Sequence, residues 1–204
     1  MKEFWNNRYK KKEYAYGKEP NKYFREEIDK INPGKILLAA EGEGRNAVYA
    51  ASIGWEVYAY DFSEFAYQKA VSLAKEKNLK INYQIGSLSD LNFDENYFDV
   101  IGLIFVHFPD SLRYKNHRVL SNLLKQEGNI IMEAFSNNHL KYQLINPNVG
   151  GPKNSNQLYS ENKLKNDFTG FKFKTLKEEE IFLNEGEYHN GKTKVMRMNA
   201  IKII

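Results

Sequence analysis

Residues 35–61 read KILLAAEGEGRNAVYAASIGWEVYAYD, and this stretch decides the fold. The unbroken apolar run at 36–40 is typical of a parallel strand that is buried on both faces. Gly42 and Gly44 follow at once and permit a sharp turn, because no Cβ atom keeps a ligand away from the backbone. Residues 45–52 then predict a short, alanine-rich helix.

The next run, residues 55–60, predicts a second parallel strand that ends at Asp61 and completes a right-handed βαβ unit. A ligand is expected beyond the carboxyl ends of such strands, at the glycine turn and the start of the helix. Asp61 lies about 20 residues after the glycines, where a carboxylate can accept both hydroxyls of a ribose. The pattern therefore predicts a ligand that contains a nucleoside.

The charges of the turn bear on which nucleoside binds, since residues 42–47 also satisfy the loose dinucleotide pattern G-x-G-x-x-G/A. Glu41 and Glu43 flank the first glycine. At about 5 Å and an effective dielectric near 20, each carboxylate would repel a unit negative charge by roughly 3 kcal/mol, and Arg45 offsets only part of this. The same charges favour the sulfonium and ammonium of S-adenosylmethionine (SAM), so we expect SAM rather than NAD. If both glutamates instead face solvent, only the ribose argument stays.

Several segments carry a family resemblance. They are FWNNRY and YGKEPNKY near the start, ILLAAEGEGRNA with Asp61, FDVIGLIFVHFP in the middle, and EAF, NVGGPK and EGEYHNG towards the end. Over nearly its whole length the chain resembles a branch of small bacterial class I SAM-dependent methyltransferases related to the tellurite-resistance (TehB) type. The resemblance implies SAM as cofactor and methyl transfer, and it does not identify the acceptor.

We expect one α/β domain over residues 1–204, with a Rossmann-like, seven-stranded, mainly parallel sheet, one antiparallel strand and helices on both faces. Residues 1–31 form an N-terminal lid or helical extension, and residues 137–159 a long loop over the substrate mouth with at most one helical turn. The further predicted strands are 81–85, 98–105, 129–135 (after a break at Gly128), 172–183 and 194–203. The further predicted helices are 20–31 (with Pro20 in its first turn), one capped by Ser63, 109–125 (with Leu112, Val119, Leu120 and Leu123 turned inward) and 160–168.

The residues predicted to bind the cofactor lie at strand ends and in the N-terminal segment: Trp5, Tyr16, Glu41, Gly42, Glu43, Gly44, Asn46, Asp61, Phe62, Ser63, Ser87, Leu88, Phe105 and His107. The aromatic N-terminus covers the methionine end of SAM or simply packs on the outside of the sheet. Phe62 lies against the adenine or has a packing role. Ser87 stands where the broader class has an acid, so the adenine contact comes from its hydroxyl or from the backbone around Leu88.

No catalytic residue follows from the sequence, but His107, Tyr188 and His189 are candidates. His107 ends a central strand at the substrate mouth, although a lone histidine is more often structural. If the sixth strand runs parallel, the hairpin after it places Glu185, Tyr188 and His189 over the entrance; the alternative is an ordinary turn built on glycines. His107 or His189 would act as general base for an oxygen or protonated nitrogen acceptor, whereas a soft acceptor needs none.

Composition narrows the class of protein. The chain has 204 residues, a formal net charge of +4 and no cysteine, so disulfides and thiolate metal sites are excluded and no metal is expected. Basic residues are scattered apart from the cluster 10–12, which does not support nucleic acid as a partner. The absence of a long apolar span predicts a cytoplasmic protein without a membrane partner. The oligomeric state stays open.

Two rival functions use the same features. An NAD(P)-linked oxidoreductase would employ the same glycine turn. A SAM-binding module without catalysis is suggested by Ser87, by Ala40 in place of a usual glycine, and by the lack of an obvious base.

Overall fold

The computed structural model describes residues 2–203, so the ends of the predicted domain, Met1 and Ile204, lie outside it. Its α-helices are α1 (Lys2–Tyr9), α2 (Lys22–Ile28), α3 (Arg45–Ser52), α4 (Glu64–Glu76), α5 (Asp110–Leu123), α6 (Leu140–Ile145) and α7 (Glu161–Asp167). Its strands are β1 (Lys35–Ala39), β2 (Glu56–Asp61), β3 (Asn82–Ile85), β4 (Phe98–Ile104), β5 (Leu124–Phe135), β6 (Phe171–Glu185) and β7 (His189–Lys202).

The strands form one seven-stranded sheet in the order β3-β2-β1-β4-β5-β7-β6. Strands β1 to β5 are paired in parallel, while β7 is antiparallel to both β5 and β6. The sixth strand therefore runs parallel with the first five. This confirms the predicted sheet with its single antiparallel strand, and it brings the ends of β1, β2, β4, β5 and β6 to the same edge.

Side chains of β1 enter a hydrophobic core on each face of the sheet. Leu38 packs with Phe24 of α2 and Ala47 of α3 on one face, and Leu37 packs in the cluster that contains Leu120 of α5 on the other. Helices therefore cover both faces, as predicted. Burial on both sides explains why the sequence of β1 is an unbroken apolar run rather than an alternating one.

Gly44 allows α3 and α4 to pack closely. Its backbone is left-handed, with φ +87°, and a Cβ atom there would lie 2.6 Å from the Cβ and 2.8 Å from the Cα of Ala70 in α4. Only glycine avoids both the strained dihedral and this overlap. The second glycine of the turn is thus required for helix packing, and its predicted contact with a ligand stays a prediction.

Two helix predictions are wrong in detail. Pro20 is not in the first turn of α2, because Asn21 caps that helix by accepting from the Phe24 N–H at 2.9 Å, and α2 ends at Ile28 rather than at residue 31. In α5, Leu112 and Val119 are 46% and 37% exposed instead of turned inward. The other two predicted inward leucines of that helix are buried.

The later part of the chain also departs from the predictions. Gly128 does not precede β5 but lies inside it, beside an irregular Glu127 with φ +61°. Segment 137–159 contains α6 and three 3₁₀ turns, so it is more helical than predicted. The loop of the hairpin between β6 and β7 contains only residues 186–188. Glu185 and His189 therefore lie in the two strands and pair with each other.

Among residues 2–203, no helix is long and apolar enough to cross a lipid bilayer.

Replacing Gly44 by alanine should lower the free energy of unfolding by about 2–5 kcal/mol, the sum of a left-handed dihedral penalty and an overpacked contact. Gly54→Ala is the matched control, because Gly54 has a similar φ of +95° but its nearest contact for a Cβ is 3.7 Å away. The control should lose about 1–2 kcal/mol, from the dihedral alone. Urea unfolding of the two variants measures the difference, and equal losses would contradict the packing role.

Candidate active site

The turn after β1 is strained and enclosed. Ala40 has φ +46°, a left-handed value that is costly for a residue with a Cβ, and Gly42 follows with φ +67°. A Cβ atom on Gly42 would lie 2.7 Å from the hydroxyl of Tyr9, so α1 rests directly on the turn. The N-terminal aromatic residues therefore reach the predicted cofactor turn rather than only the outside of the sheet.

Asp61 ends β2 beside this turn, as the sequence predicted. Its Oδ2 accepts from the Gly42 N–H at 3.2 Å and its Oδ1 from the Ser63 N–H at 2.9 Å. Burial raises the pKa of Asp61 to about 6, although these backbone hydrogen bonds act in the opposite direction. A carboxylate oxygen has two acceptor positions, so each oxygen can still accept a hydroxyl.

Ser63 and Phe62 lie next to this carboxylate along the chain. Ser63 caps α4 by accepting from the Ala66 N–H at 3.3 Å, as predicted, and its hydroxyl donates to Asn6 Oδ1 at 2.6 Å. Its side chain is therefore used by the fold and ties α4 to α1. Phe62 is half-buried.

The two glutamates of the turn do not face solvent, and neither is a free negative charge. Glu41 Oε1 accepts from the Asn46 and Ala47 N–H groups at 2.8 and 2.9 Å, which caps α3, and burial raises its pKa to about 7. Glu43 pairs with Lys69 Nζ at 2.7 Å and accepts from the Ala15 N–H at 2.7 Å. The expected charge preference for a cationic ligand therefore has no support in the geometry.

The loop after β3 places Ser87 and Leu88 at the same edge of the sheet. Ser87 forms a capping box with Asp90: its N–H and its hydroxyl both donate to Asp90 Oδ2 at 2.7 Å. Because this hydroxyl is already bonded within its own turn, the backbone around Leu88 is the better candidate for an adenine contact. The S-x-x-D spacing that signals this cap was present in the sequence but was not recognised.

An arginine that the sequence analysis missed fastens α1 to the hairpin. The guanidinium of Arg8 lies 4.0 Å from the ring centroid of Tyr188, and its Nη1 donates to the Tyr16 hydroxyl at 2.8 Å. Trp5 stacks on Tyr9 with ring centroids 5.5 Å apart. The i, i+3 and i, i+4 spacing of these residues in one helix was the available signal.

His107 is held by the backbone on both ring nitrogens. Its Nδ1 lies 2.8 Å from the Gln157 carbonyl, and its Nε2 accepts from the Phe135 N–H at 3.2 Å. Burial lowers the pKa of His107 to about 4. A neutral imidazole with both nitrogens in use has no lone pair to offer a substrate, so the geometry favours the structural role for this residue.

His139, which was not a candidate, has a similar role under the loop 146–151. Its Nδ1 lies 2.6 Å from the Thr193 hydroxyl and its Nε2 3.0 Å from the Gly150 carbonyl. Nδ1 thus connects the segment after β5 to β7, and Nε2 connects His139 to the loop 146–151. No periodicity in the sequence marks such a residue, because its partners are far apart in the chain.

His189 differs from His107 and His139, because neither of its ring nitrogens has a hydrogen-bond partner among residues 2–203. Its ring lies between Tyr16 and Phe105, with centroids 4.4 and 4.2 Å away, and its Nδ1 is 3.5 Å from Glu185 Oε2 without a hydrogen bond. Its Nε2 has no hydrogen-bond partner among residues 2–203 and is not fully enclosed. Burial lowers the pKa of His189 to about 4, so the ring is neutral at pH 7. Tyr188, the third candidate, contacts Arg8.

A cavity of about 570 Å³ lies on the face of the sheet that α2 covers; His189 is not part of its lining, but Tyr16 and Glu185, which are close to His189, are. It is bounded by Tyr16, by Arg45 and by the end of β6, so it shares the Arg45–Glu185 ion pair (2.7 Å) with the surroundings of His189. Its charged lining is balanced between four cations and four carboxylates: Lys18, Lys22, Arg45, Arg197, Glu19, Glu133, Glu179 and Glu185. No local pattern in the sequence indicates this cavity, because its lining comes from distant parts of the chain.

The architecture and this site match known proteins. The sequence profile described as "Methyltransferase domain" matches residues 36–128, which include β1, the glycine turn and Asp61. An uncharacterised methyltransferase of Schizosaccharomyces pombe is 30% identical over 103 residues, which make up 50% of this chain and 71% of that protein. The chain belongs to the class I SAM-dependent methyltransferases.

Two further proteins are similar to this chain. The probable SAM-dependent methyltransferase TehB of Haemophilus influenzae is 24% identical over 163 residues, or 78% of this chain and 51% of TehB, so the chain spans about half the length of that relative. The crystal structure of H. influenzae TehB matches this fold with a TM-score of 0.69. A structure from work on thioacetal formation in echinomycin biosynthesis matches with a TM-score of 0.79 at 17% identity, and the match covers 99% of this chain and 92% of the other chain. The TehB-like resemblance is confirmed.

Replacing His107 by phenylalanine should lower the free energy of unfolding by about 1–3 kcal/mol, because a buried backbone group is left unpaired. His107→Asn should lose less, since its amide can still donate to the Gln157 carbonyl. Urea unfolding measures the losses, and ¹⁵N NMR of labelled histidine should show wild-type His107 neutral between pH 8 and 5, in line with its lowered pKa. A His107 that titrates near pH 6.5 would contradict the assignment.

Proposed function

We propose that the protein binds SAM at the turn after β1 and transfers its methyl group to a small acceptor molecule. The observation that carries the proposal is the Asp61 carboxylate, which is held at the end of β2 by the Gly42 and Ser63 amides with an acceptor position left on each oxygen. A ribose offers two adjacent hydroxyls to such a group. This matches the donor set of the adenosyl group in SAM.

The glycine turn supports SAM over a dinucleotide. In dinucleotide-binding proteins the middle glycine lets the backbone approach the diphosphate. Here the corresponding Gly44 faces Ala70 of α4, and the space above Gly42 contains the Tyr9 hydroxyl. Neither glycine offers an open cradle for a diphosphate. Support for SAM therefore comes from this geometry and from family membership, and no longer from the charges of the two glutamates.

The other predicted cofactor contacts keep unequal roles in this proposal. We assign the adenine to the backbone around Leu88 with Phe62 nearby, and the methionine end to the space bordered by Trp5, Tyr16 and Phe105. Four of the predicted contacts shape the turn after β1 through the hydrogen bonds described above: Glu41, Glu43, Asn46 and Ser63. Ser87 and His107 hold the loops after β3 and β4 in the same way. These residues hold the binding surface and do not touch the cofactor.

The acceptor side fits a small molecule. A volume of about 570 Å³ is within the range of small-ligand sites, which is about 300–1,000 Å³. We place the acceptor in this cavity, with its reacting atom towards His189. Gly186 of the hairpin lines this cavity, whereas no residue of segment 137–159 does, so a lid role for that segment stays a prediction.

SAM supplies an already activated methyl group, so the protein's own residues need only to align the acceptor and exclude water. Arg8 of α1 on Tyr188, and Lys11 just after α1 on Glu187 (3.0 Å), hold the N-terminal segment over the site. His189 is neutral and orients the acceptor through Nε2. Its low pKa makes it a weak base, which favours an acceptor whose attacking atom already carries a free electron pair.

A SAM-binding module without catalysis is the second candidate, and the absence of a strong base near the cavity favours it. Formation of the demethylated product, S-adenosylhomocysteine (SAH), separates the two functions. SAH release above the no-acceptor rate with any member of a panel of thiols, amines and phenols supports the enzyme. Binding of SAM without such release across the panel supports the module.

Calorimetry should show that SAM and SAH bind and that NAD does not. Asp61→Asn should lower the affinity for SAH at least tenfold, because hydrogen bonds to a charged group contribute about 1.5–3 kcal/mol. Wild-type affinity should fall as the pH drops through about 6, where Asp61 becomes protonated and can no longer accept both hydroxyls. Asp94→Asn, an exposed site, is the control. Binding of NAD alone would reject the proposal.

A further inference from the structure

Asn21 connects four elements of the fold from a position that is only 1% exposed. Its Oδ1 caps α2 by accepting from the Phe24 N–H at 2.9 Å, and its own backbone N–H donates to Asn46 Oδ1 in the first turn of α3 at 2.9 Å. Asn46 in turn donates to Glu41 at the end of β1. Asn21 is thereby tied to the cofactor turn by main-chain and side-chain hydrogen bonds.

The amide nitrogen of Asn21 lies between two carboxylates. Its Nδ2 donates to Glu133 Oε1 of β5 at 2.7 Å and to Glu185 Oε1 of β6 at 3.0 Å. Both hydrogens of the amide are used, one for each strand. Without this donor, two ionised side chains would face each other in a buried place, which is costly.

The outer oxygens of the two carboxylates are held by arginines. Glu185 Oε2 accepts from Arg45 Nη2 at 2.7 Å, and Glu133 Oε2 from Arg197 Nε at 2.6 Å. The Glu185 carboxylate is therefore fixed at both ends, and its Oε2 lies 3.5 Å from His189 Nδ1. A carboxylate at this distance favours by its charge the tautomer with the proton on Nδ1, which leaves the lone pair on Nε2.

We propose that Asn21 is a positioning residue: its amide holds the Glu185 carboxylate against His189 and links that pair to the start of α3. The consequence for methyl transfer rests on the proposed function. The contacts among Asn21, Glu185 and His189 do not depend on that function. Asparagine is suited to this place because it combines a helix cap with two donors. Aspartate would add a third carboxylate, and serine would cap α2 but reach neither glutamate.

The test uses Asn21→Ser, which keeps a good N-cap and the backbone hydrogen bond to Asn46 and adds no charge. ¹⁵N NMR of histidine-labelled full-length protein reports which ring nitrogen carries the proton, with the His189 signal assigned by His189→Gln. Wild-type protein should show the Nδ1–H form. Asn21→Ser should lose this preference, as should Glu185→Gln, which removes the carboxylate charge directly. The signals of His117 and His139 should not change and thus report that the fold is intact.

SAH affinity is measured on the same samples by calorimetry and should stay within about twofold in Asn21→Ser, because Asp61 and the turn are unaltered. An Nδ1–H form that persists in folded Asn21→Ser would overturn the proposal. So would a loss of SAH affinity with an unchanged tautomer, since Asn21 would then act only on the cofactor turn. If even the wild-type protein binds no SAH, the proposed function fails while the tautomer result still decides the role of Asn21.

Discussion

A buried carboxylate costs several kcal/mol unless hydrogen-bond donors surround it, and this constraint organises the functional edge of the sheet. Three buried carboxylates lie there, Glu43, Asp61 and Glu133, together with two half-buried ones, Glu41 and Glu185. Their donors come from other elements, namely the first turns of α3 and α4, the N-terminal segment, and the arginines of α3 and β7. Satisfying the carboxylates thus fixes how the loops, the N-terminal segment and the hairpin meet over the strand ends.

The same constraint separates groups that serve the fold from groups that remain available. Glu41 accepts hydrogen bonds from the N-terminus of α3, and Glu43 forms an ion pair with Lys69. Both carboxylates therefore serve the fold, although they flank Gly42. Asp61 uses only backbone amides and keeps acceptor capacity. Among neighbouring carboxylates of one turn, the number of donors already engaged therefore distinguishes the candidate ribose ligand from the others.

The sequence predicted the fold well because its signals are local. The apolar run of β1, the glycine pair and the cap at Ser63 each depend on residues within a few positions of each other, and the structure has all three. The parts that were missed depend on partners far apart in the chain. Asn21 and Glu185 are 164 residues apart, and nothing in either local sequence indicates that they meet.

The histidines show the same limit within the candidate site. His107 and His189 were equivalent candidates, since both lie at strand ends on the cofactor edge. What separates them is the use of each ring nitrogen: backbone groups occupy both nitrogens of His107, whereas Nε2 of His189 is free. Hydrogen-bond partners of this kind come from loops whose path the sequence does not define, so spacing alone could not choose between the two.

The electrostatics of the acceptor side restrict the chemistry that it can support. The Arg45 guanidinium holds the pKa of Glu185 at about 2 against the effect of burial, while burial keeps His189 neutral with a pKa of about 4. The cavity lining adds no net charge. A site whose neutral histidine is a weak base gives little help in removing a proton from its substrate. Its contribution to rate must come from alignment and from exclusion of water, which suits an acceptor that is nucleophilic as it binds.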